Sequence, residues 1–454
     1  MQVPVDYQDR FVCIVGLGYV GLTLAVVMAE AGFKVTGIER NPEIVKLVNS
    51  GKAHFLETGL DARLAIQVRK GNLIAFETLA DADPDVSVYI LTVGTPLVNT
   101  TKRVNLDAMV SVSEEISARL KPGDMVILRS TVRIGVSRDL VKPILDKRGV
   151  PYRLAFCPER TLEGKALSEL VSLPQIVGGL DDASSLRAGQ LYGFLSPTIV
   201  RVSSLETAEM IKLVNNTQRD LMFAFANEVA GYCDSVRISA PEVIQSANIG
   251  YARSALAKPG PVGGPCLEKD PYILSEGVSM VGGVAGLALL GRDINESLPS
   301  DTIAFSKTVL DKRVDASASP NVTIIGLAFK GVPETSDLRG TLAIPLIEEI
   351  RKQMPSARIT GYDPACREDD LATLGIGIAS DFDSAFEQAD LVIFQNNNAK
   401  FGLLDLNSFS KLMREGGLIY DLWAQFDISS LELAKGVAYT GLGLRYTLSA
   451  GADA

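Results

Sequence analysis

The stretch FVCIVGLGYVGLTLAVVM, residues 11–28, decides the fold. Five apolar residues come first, then Gly16, Gly18 and Gly21 in G-x-G-x-x-G order, then a second apolar run. The whole is apolar enough to resemble a membrane span, but the glycines break it at the point where a strand would turn into a helix. Strand, glycine-rich turn and helix in that order bring backbone amides and the positive end of a helix dipole to one place, which suits a pyrophosphate. The alternative is that the glycines serve only tight packing.

Moving outward, Glu39 ends the next apolar run, 23 residues after Gly16. A carboxylate there accepts ribose hydroxyls and repels a 2′-phosphate, which favours NAD over NADP, although Arg40 beside it blurs the preference. Residues 11–16, 34–39, 86–93, 125–130 and 152–157 read as strands with helical patterns between most of them, the signature of a parallel sheet wrapped by helices. From 205 to 236 apolar residues keep helical spacing, longer than an ordinary globular helix and so a central connector. KPGPVGGP at 258–265 can be neither regular helix nor central strand. DKRVDASASP at 311–320 has the composition of an exposed linker.

After the linker the alternation resumes. Residues 322–326 echo 12–16, and ADLVIFQNNN at 389–398 echoes PDVSVYILTVGTP at 84–96, with 69 residues from Gly16 to Asp85 and 64 from Gly326 to Asp390. The expected architecture is therefore α/β: two Rossmann-like, doubly wound domains joined by a long central helix and a helical middle domain. The expected boundaries are 1–203, 204–311 and 312–454. Chance likeness between any two α/β halves is the alternative.

The 454 residues carry a formal net charge of −10, with 47% hydrophobic and 22% charged residues. That is a globular balance, and its acidity argues against a nucleic-acid binder. Neither the opening MQVPVDYQDR, which lacks a basic export signal, nor the short, Gly-rich 278–290 run implies a membrane, so the cytoplasm is the expected compartment. Five cysteines without C-x-x-C spacing give no zinc site and no disulfide framework, and no metal is expected. His54 is the one histidine, which leaves His-based mechanisms almost no material.

Several motifs fall at strand ends, where open α/β sheets bind ligands. Thr95 lies in VGTP and Thr131 in STV. CPERTLEGKAL places Glu159 and Glu163 at one sheet edge, as ligand contacts or simply exposed turn carboxylates. Lys212 and Asn216, four apart on the long helix, share a face and could stabilise a developing oxyanion, unless they are merely solvated. In GGPCLEKDP, Gly263 and Gly264 open access to Cys266, and Asp270–Pro271 reads as an N-cap followed by Pro at the first helical position. A thiol just ahead of a helix and near Lys269 favours thiolate, so a nucleophile is preferred to an inert buried cysteine. Lys330 in GLAFKG and Arg339 in TSDLRG stand in a loop after a strand, where cations meet phosphates or solvent.

Taken together, GLGYVGL, VGTP, STV, CPERTLEGKAL, the Lys212/Asn216 helix, GGPCLEKDPY, GLAFKG with TSDLRG, and YDP resemble the UDP-glucose/GDP-mannose dehydrogenase family, in order from about residue 11 to 364. The resemblance implies a four-electron, NAD-dependent oxidation of a UDP-sugar C6 alcohol to the uronic acid, through a thiohemiacetal and a thioester on Cys266, for surface polysaccharide. It implies that Lys212 and Asn216 stabilise oxyanions and that Glu159 and Asp270 manage protons and water. It further implies that Gly16, Gly18, Tyr19, Val20, Gly21, Glu39, Arg40, Thr95, Thr131 and Glu163 line the NAD site. Arg253, Lys258, Gly263, Lys330 and Arg339 would serve the substrate, and the central helix a homodimer contact. Members acting on UDP-N-acetylmannosamine commonly carry His where this chain has Pro265, and many have Arg where it has Trp423. The wording of ERTLEGKAL and KDPY leans toward UDP-N-acetylhexosamine rather than UDP-hexose. A two-electron β-hydroxyacid-type dehydrogenase and a non-catalytic NAD-sensing module are the rival readings.

Overall fold

The computed structural model describes residues 2–312 and 319–449. Eight strands form the first sheet: β1 Phe11–Val15, β2 Lys34–Ile38, β3 Leu73–Phe76, β4 Val88–Leu91, β5 Met125–Leu128, β6 Arg153–Phe156, β7 Gln175–Gly179 and β8 Ile199–Val202. Their order is β3-β2-β1-β4-β5-β6-β7-β8, parallel except where β6 meets β7. Val12 pairs with Val35 on one side and Val88 on the other. The central strands β4 and β5 are buried along their whole length because helices cover both faces of the sheet.

Six strands form the second sheet: β9 Asn321–Ile325, β10 Arg358–Tyr362, β11 Gly377–Ile378, β12 Leu391–Phe394, β13 Leu418–Asp421 and β14 Ala438–Gly441. Their order is β11-β10-β9-β12-β13-β14, all parallel. Strand for strand, this is the winding of the first six strands of the other sheet. The repeat expected from the sequence is therefore a repeat of topology, with β9 beside β12 as β1 is beside β4.

The long helix spans Leu205–Val236, the expected limits. The chain divides into two compact units, Met1–Asn216 with Lys269–Ala285, and Thr217–Glu268 with Gly286–Ala454. The division falls inside the long helix. Most of the linker expected at 311–320 lies outside the described residues. No helix among the described residues is long and apolar enough to cross a membrane.

Three strands of the first sheet escape sequence reading. β3 is a four-residue edge strand whose Ile74 faces outward. β7 ends in Gly178 and Gly179, residues that weaken a strand signal. Both are glycine for want of room, since a Cβ would come 2.2 Å from the Ser204 carbonyl oxygen and 2.4 Å from the Ser185 nitrogen. β8 alternates too little over four residues to stand out.

Candidate active site

In the first unit the glycine turn has the geometry its pattern demands. Gly16 adopts φ +95°, its N–H donates to Ile38 at 2.8 Å, and a Cβ on Gly21 would lie 1.8 Å from the Gly16 oxygen. Gly18 faces open space, with nothing within 4 Å of the place a Cβ would take. The helix Tyr19–Ala31 then starts with no side-chain cap and no acidic residue in its first turn, so its amides and dipole are left for an anion. Glu39 bends back over this turn, its two oxygens accepting from Leu17 N and Asn41 N, each at 3.1 Å. Arg40 is exposed. These residues fit the pyrophosphate and ribose of NAD.

Tyr19 and Val20 open the helix. The Tyr19 hydroxyl donates to the carboxylate of Glu57, and the Gly164 amide donates to both of them, at 2.8 and 2.7 Å. Glu57 also accepts from Ala166 N at 3.0 Å. Burial, then Glu57, raises the Tyr19 phenol well above its usual range, which keeps it a donor. The glycine turn is thereby tied to the loop bearing Glu163. Glu57 was not singled out from the sequence; its partners in that loop lie more than a hundred residues away along the chain, and nothing local marks it.

Thr95 and Thr131, at the ends of the adjacent strands β4 and β5, are laced together: Thr95 Oγ1 donates to the Thr131 carbonyl at 2.6 Å. Just past β6, Glu159 is buried, with Arg129 and two backbone amides as donors. The Arg129 and Lys212 charges, with those hydrogen bonds, outweigh burial and hold its carboxyl below the usual range. Lys212 and Asn216 are both buried on the long helix. Asn216 Nδ2 donates to Asp270 Oδ2 at 2.6 Å, and Lys269 Nζ reaches Asp270 Oδ1 at 2.8 Å. Within this unit, Asn216, Lys269 and Asp270 are thus joined by hydrogen bonds, and the Lys212 charge acts on Glu159.

One detail differs from expectation. Lys269 occupies the N-cap position, with Asp270 and Pro271 as the first helical residues of Asp270–Ser279, and there is no side-chain cap. The Asp270 carboxylate is drawn to Asn216 and Lys269 instead of to its own helix amides.

In the second unit, Cys266 is exposed, whereas Cys13, Cys157 and Cys233 are buried. Burial pushes the Cys13 and Cys157 thiols up to about 12, which makes them inert at neutral pH. The Cys266 loop is pinned along its glycines. Gly260 exchanges two hydrogen bonds with Asn227, at 2.7 and 3.1 Å. Gly264, at φ +94°, donates to Gly340 O at 2.8 Å and leaves no room for a side chain against the Phe329 ring. A Cβ on Gly263 would come 2.3 Å from Gly340 O. The loop before the helix Ala343–Gln353 therefore lies directly on the Cys266 loop and carries the two expected cations. Lys330 sits over the Phe329 ring at 5.3 Å, and Arg339 is held by Asp337. Arg253, stacked on Tyr251, and Lys258 are exposed. Trp423 packs its ring on Gly260, with its indole N–H donating to Gln395 O at 3.0 Å.

Three sequence profiles of the UDP-glucose/GDP-mannose dehydrogenase family match in order: the NAD binding domain over residues 10–195, the central domain over 206–297 and the UDP binding domain over 323–428. UDP-N-acetyl-D-mannosamine dehydrogenase of Campylobacter jejuni is 33% identical over 77% of this chain and 85% of its own. NDP-N-acetyl-D-galactosaminuronic acid dehydrogenase of Ralstonia nicotianae is 30% identical over 89% and 95%. The solved structure of the UDP-D-ManNAc dehydrogenase from Pyrococcus horikoshii superposes with a TM-score of 0.85 at 29% identity, covering 95% of this chain and 99% of that one. With an open glycine turn at one sheet, an exposed thiol on a glycine-pinned loop at the other, and relatives matching nearly end to end, the chain belongs to the UDP-glucose/GDP-mannose dehydrogenase family, as an NAD-binding nucleotide-sugar dehydrogenase.

Proposed function

We propose that the enzyme oxidises C6 of a UDP-N-acetylhexosamine to the carboxylate in two successive steps, supplying a uronic acid for surface polysaccharide. Bound NAD+ supplies the hydride acceptor in each step. In the first, Asp270, itself fixed by Asn216 and Lys269, or a water it orients takes the alcohol proton as the hydride leaves C6. The Cys266 thiolate then adds to the aldehyde carbon, and the Lys212 ammonium and Asn216 amide stabilise the oxyanion. Loss of a second hydride from the thiohemiacetal gives a thioester, which water hydrolyses to release the acid and return the thiol. Lys330, Arg339, Arg253 and Lys258 would meet the nucleotide sugar, and Gly263 lets it approach the backbone.

The observation that carries this reading is the exposure of Cys266 on a loop held by close glycine contacts. The sugar class is supported by the names of the relatives, and the nucleotide by the UDP binding domain. A homodimer through the long helix is supported by the stripe of exposed Val214, Met222, Phe225, Tyr232 and Val236 along it. The test is stoichiometric. The wild-type enzyme should release about two NADH per uronate, and Cys266→Ala should form none of the acid. One NADH per product, or full acid yield from the variant, would replace this reading with a simple two-electron dehydrogenase.

A further inference from the structure

A buried polar network on two helices carries the Cys266 loop. The helix Gly286–Leu310 packs closely against the long helix at Gly291, where a Cβ would come 2.7 Å from Leu221. This approach brings Arg292 and Asn295, three apart and so on one side of their helix, to Asp220 and Asn227, two turns apart on the long one. Arg292 Nη1 donates to Asp220 Oδ1 at 2.7 Å and lies 3.5 Å from the carbonyl of Leu267, the residue after Cys266. Asn295 Nδ2 donates to the same Asp220 oxygen at 2.9 Å, and Asn295 Oδ1 accepts from Asn227 Nδ2 at 2.9 Å. All four side chains are buried. Asp220 Oδ2 and Arg292 Nε have no hydrogen-bond partner among the described residues, so this ion pair is costly to bury and a poor source of stability. It does fix which way Asn295 points, and through it Asn227.

We propose that Asn227 is a positioning residue which, oriented through Asn295 by the Asp220–Arg292 pair, sets the place of the Cys266 sulfur for attack on the aldehyde carbon. The inference rests on the two-step dehydrogenase reading above and deepens it. The Asn227 amide has two N–H donors and one carbonyl, and all three are used. One N–H goes to Gly260 O, the other to Asn295 Oδ1, and the carbonyl accepts from Gly260 N. Aspartate in its place could keep only the last of these. Gly260 also has no room for a side chain under the Trp423 ring, so the loop is gripped from two sides at one glycine. Hydride loss from the alcohol does not involve the sulfur, whereas forming the thiohemiacetal does. A displaced loop should therefore spare the first step and slow the second.

The experiment compares wild type, Asn227→Ala, Asn227→Asp, Arg292→Met and, as a control, Arg414→Met, all as full chains. Arg414 pairs at 3.0 Å with buried Asp390 elsewhere in the same unit, so its loss removes an ion pair without touching the network. With enzyme in excess over UDP-N-acetyl-D-mannosamine, the first NADH should form at nearly the wild-type rate in every variant. The second should slow by about 10²-fold in both Asn227 variants and about tenfold in Arg292→Met, and stay at the wild-type rate in Arg414→Met. Equal slowing of both steps, or a wild-type second step in Asn227→Ala, overturns the proposal. Should Arg292→Met fail to fold, Asn227→Asp, which keeps the side chain's shape and volume, decides. Hydrogen–deuterium exchange without substrate is the second readout. Amides 258–267 should exchange about tenfold or more faster in the three network variants and at the wild-type rate in Arg414→Met. Unchanged exchange in the network variants also overturns the idea. This readout judges the network even if wild type oxidises no UDP-sugar, a result that would instead sink the functional reading.

Discussion

The two sheets repeat one winding and use it for different ends. In each, the first strand of the repeat runs into a left-handed glycine, Gly16 at φ +95° and Gly326 at φ +83°, whose N–H donates at 2.8 Å to the end of the neighbouring strand, at Ile38 and Tyr362. In each, the carboxylate that follows that neighbouring strand, Glu39 or Asp363, accepts from the amide just after the glycine. Beyond this point they diverge. After Gly16 a helix begins at Tyr19, and the open Gly18 leaves its amides accessible. After Gly326 the helix waits until Ala343, and buried Asp363 accepts the Leu327 and Ala328 amides at 2.7 and 2.9 Å. The second turn has its free amides already paired internally. Its long loop instead supports the Cys266 loop and presents Lys330. Identical topology thus fixes where a ligand can sit, and the first few residues after the strand decide which ligand.

The largest expected break in this comparison is Gly21→Ala. A methyl group 1.8 Å from the Gly16 oxygen must distort the turn, so NAD+ affinity should fall by about 10²-fold or more by calorimetric titration, with UDP affinity nearly unchanged. Equal loss of both ligands would show that the halves are not functionally separate. Glu39→Gln sharpens the contrast at smaller cost: NAD+ should bind roughly tenfold more weakly, because a carboxylate acceptor for the ribose is lost. Asp363→Asn should leave NAD+ binding intact and destabilise the protein by ~1–3 kcal/mol, because a buried acceptor of several amides is replaced.

The Asp363 effect should depend on pH. Burial raises this carboxyl above the usual range even though the amide hydrogen bonds oppose it. The folded protein therefore binds the proton more tightly than the unfolded chain. The stability this group contributes is greatest in acid and is lost as pH rises from the ordinary aspartate range through the folded-state value. Asn cannot titrate, so the deficit of Asp363→Asn relative to wild type should be larger near about pH 4 than near about pH 7 in urea unfolding. A deficit that grows toward neutral pH would mean that Asp363 works as a stabilising anion.

Local pattern alone carried much of the molecule. The glycine turn, the limits of the long helix and the repeat of strand and glycine follow from apolar periodicity and from glycine's tolerance of positive φ, properties of a few adjacent residues. The sequence likewise set the chemical types available: a thiol between glycines and a helix start, and a lysine and an amide one turn apart. What only the tertiary structure decided are the pairings between distant residues. That Arg129 is sealed against Glu159, that Glu57 ties Tyr19 to Gly164, that Asp363 fills the second turn and that Trp423 lies on Gly260 depend on strand order and burial. A charged residue in a sequence looks the same whether solvated or desolvated, and the folded chain alone determines which partner offsets the cost of burying it.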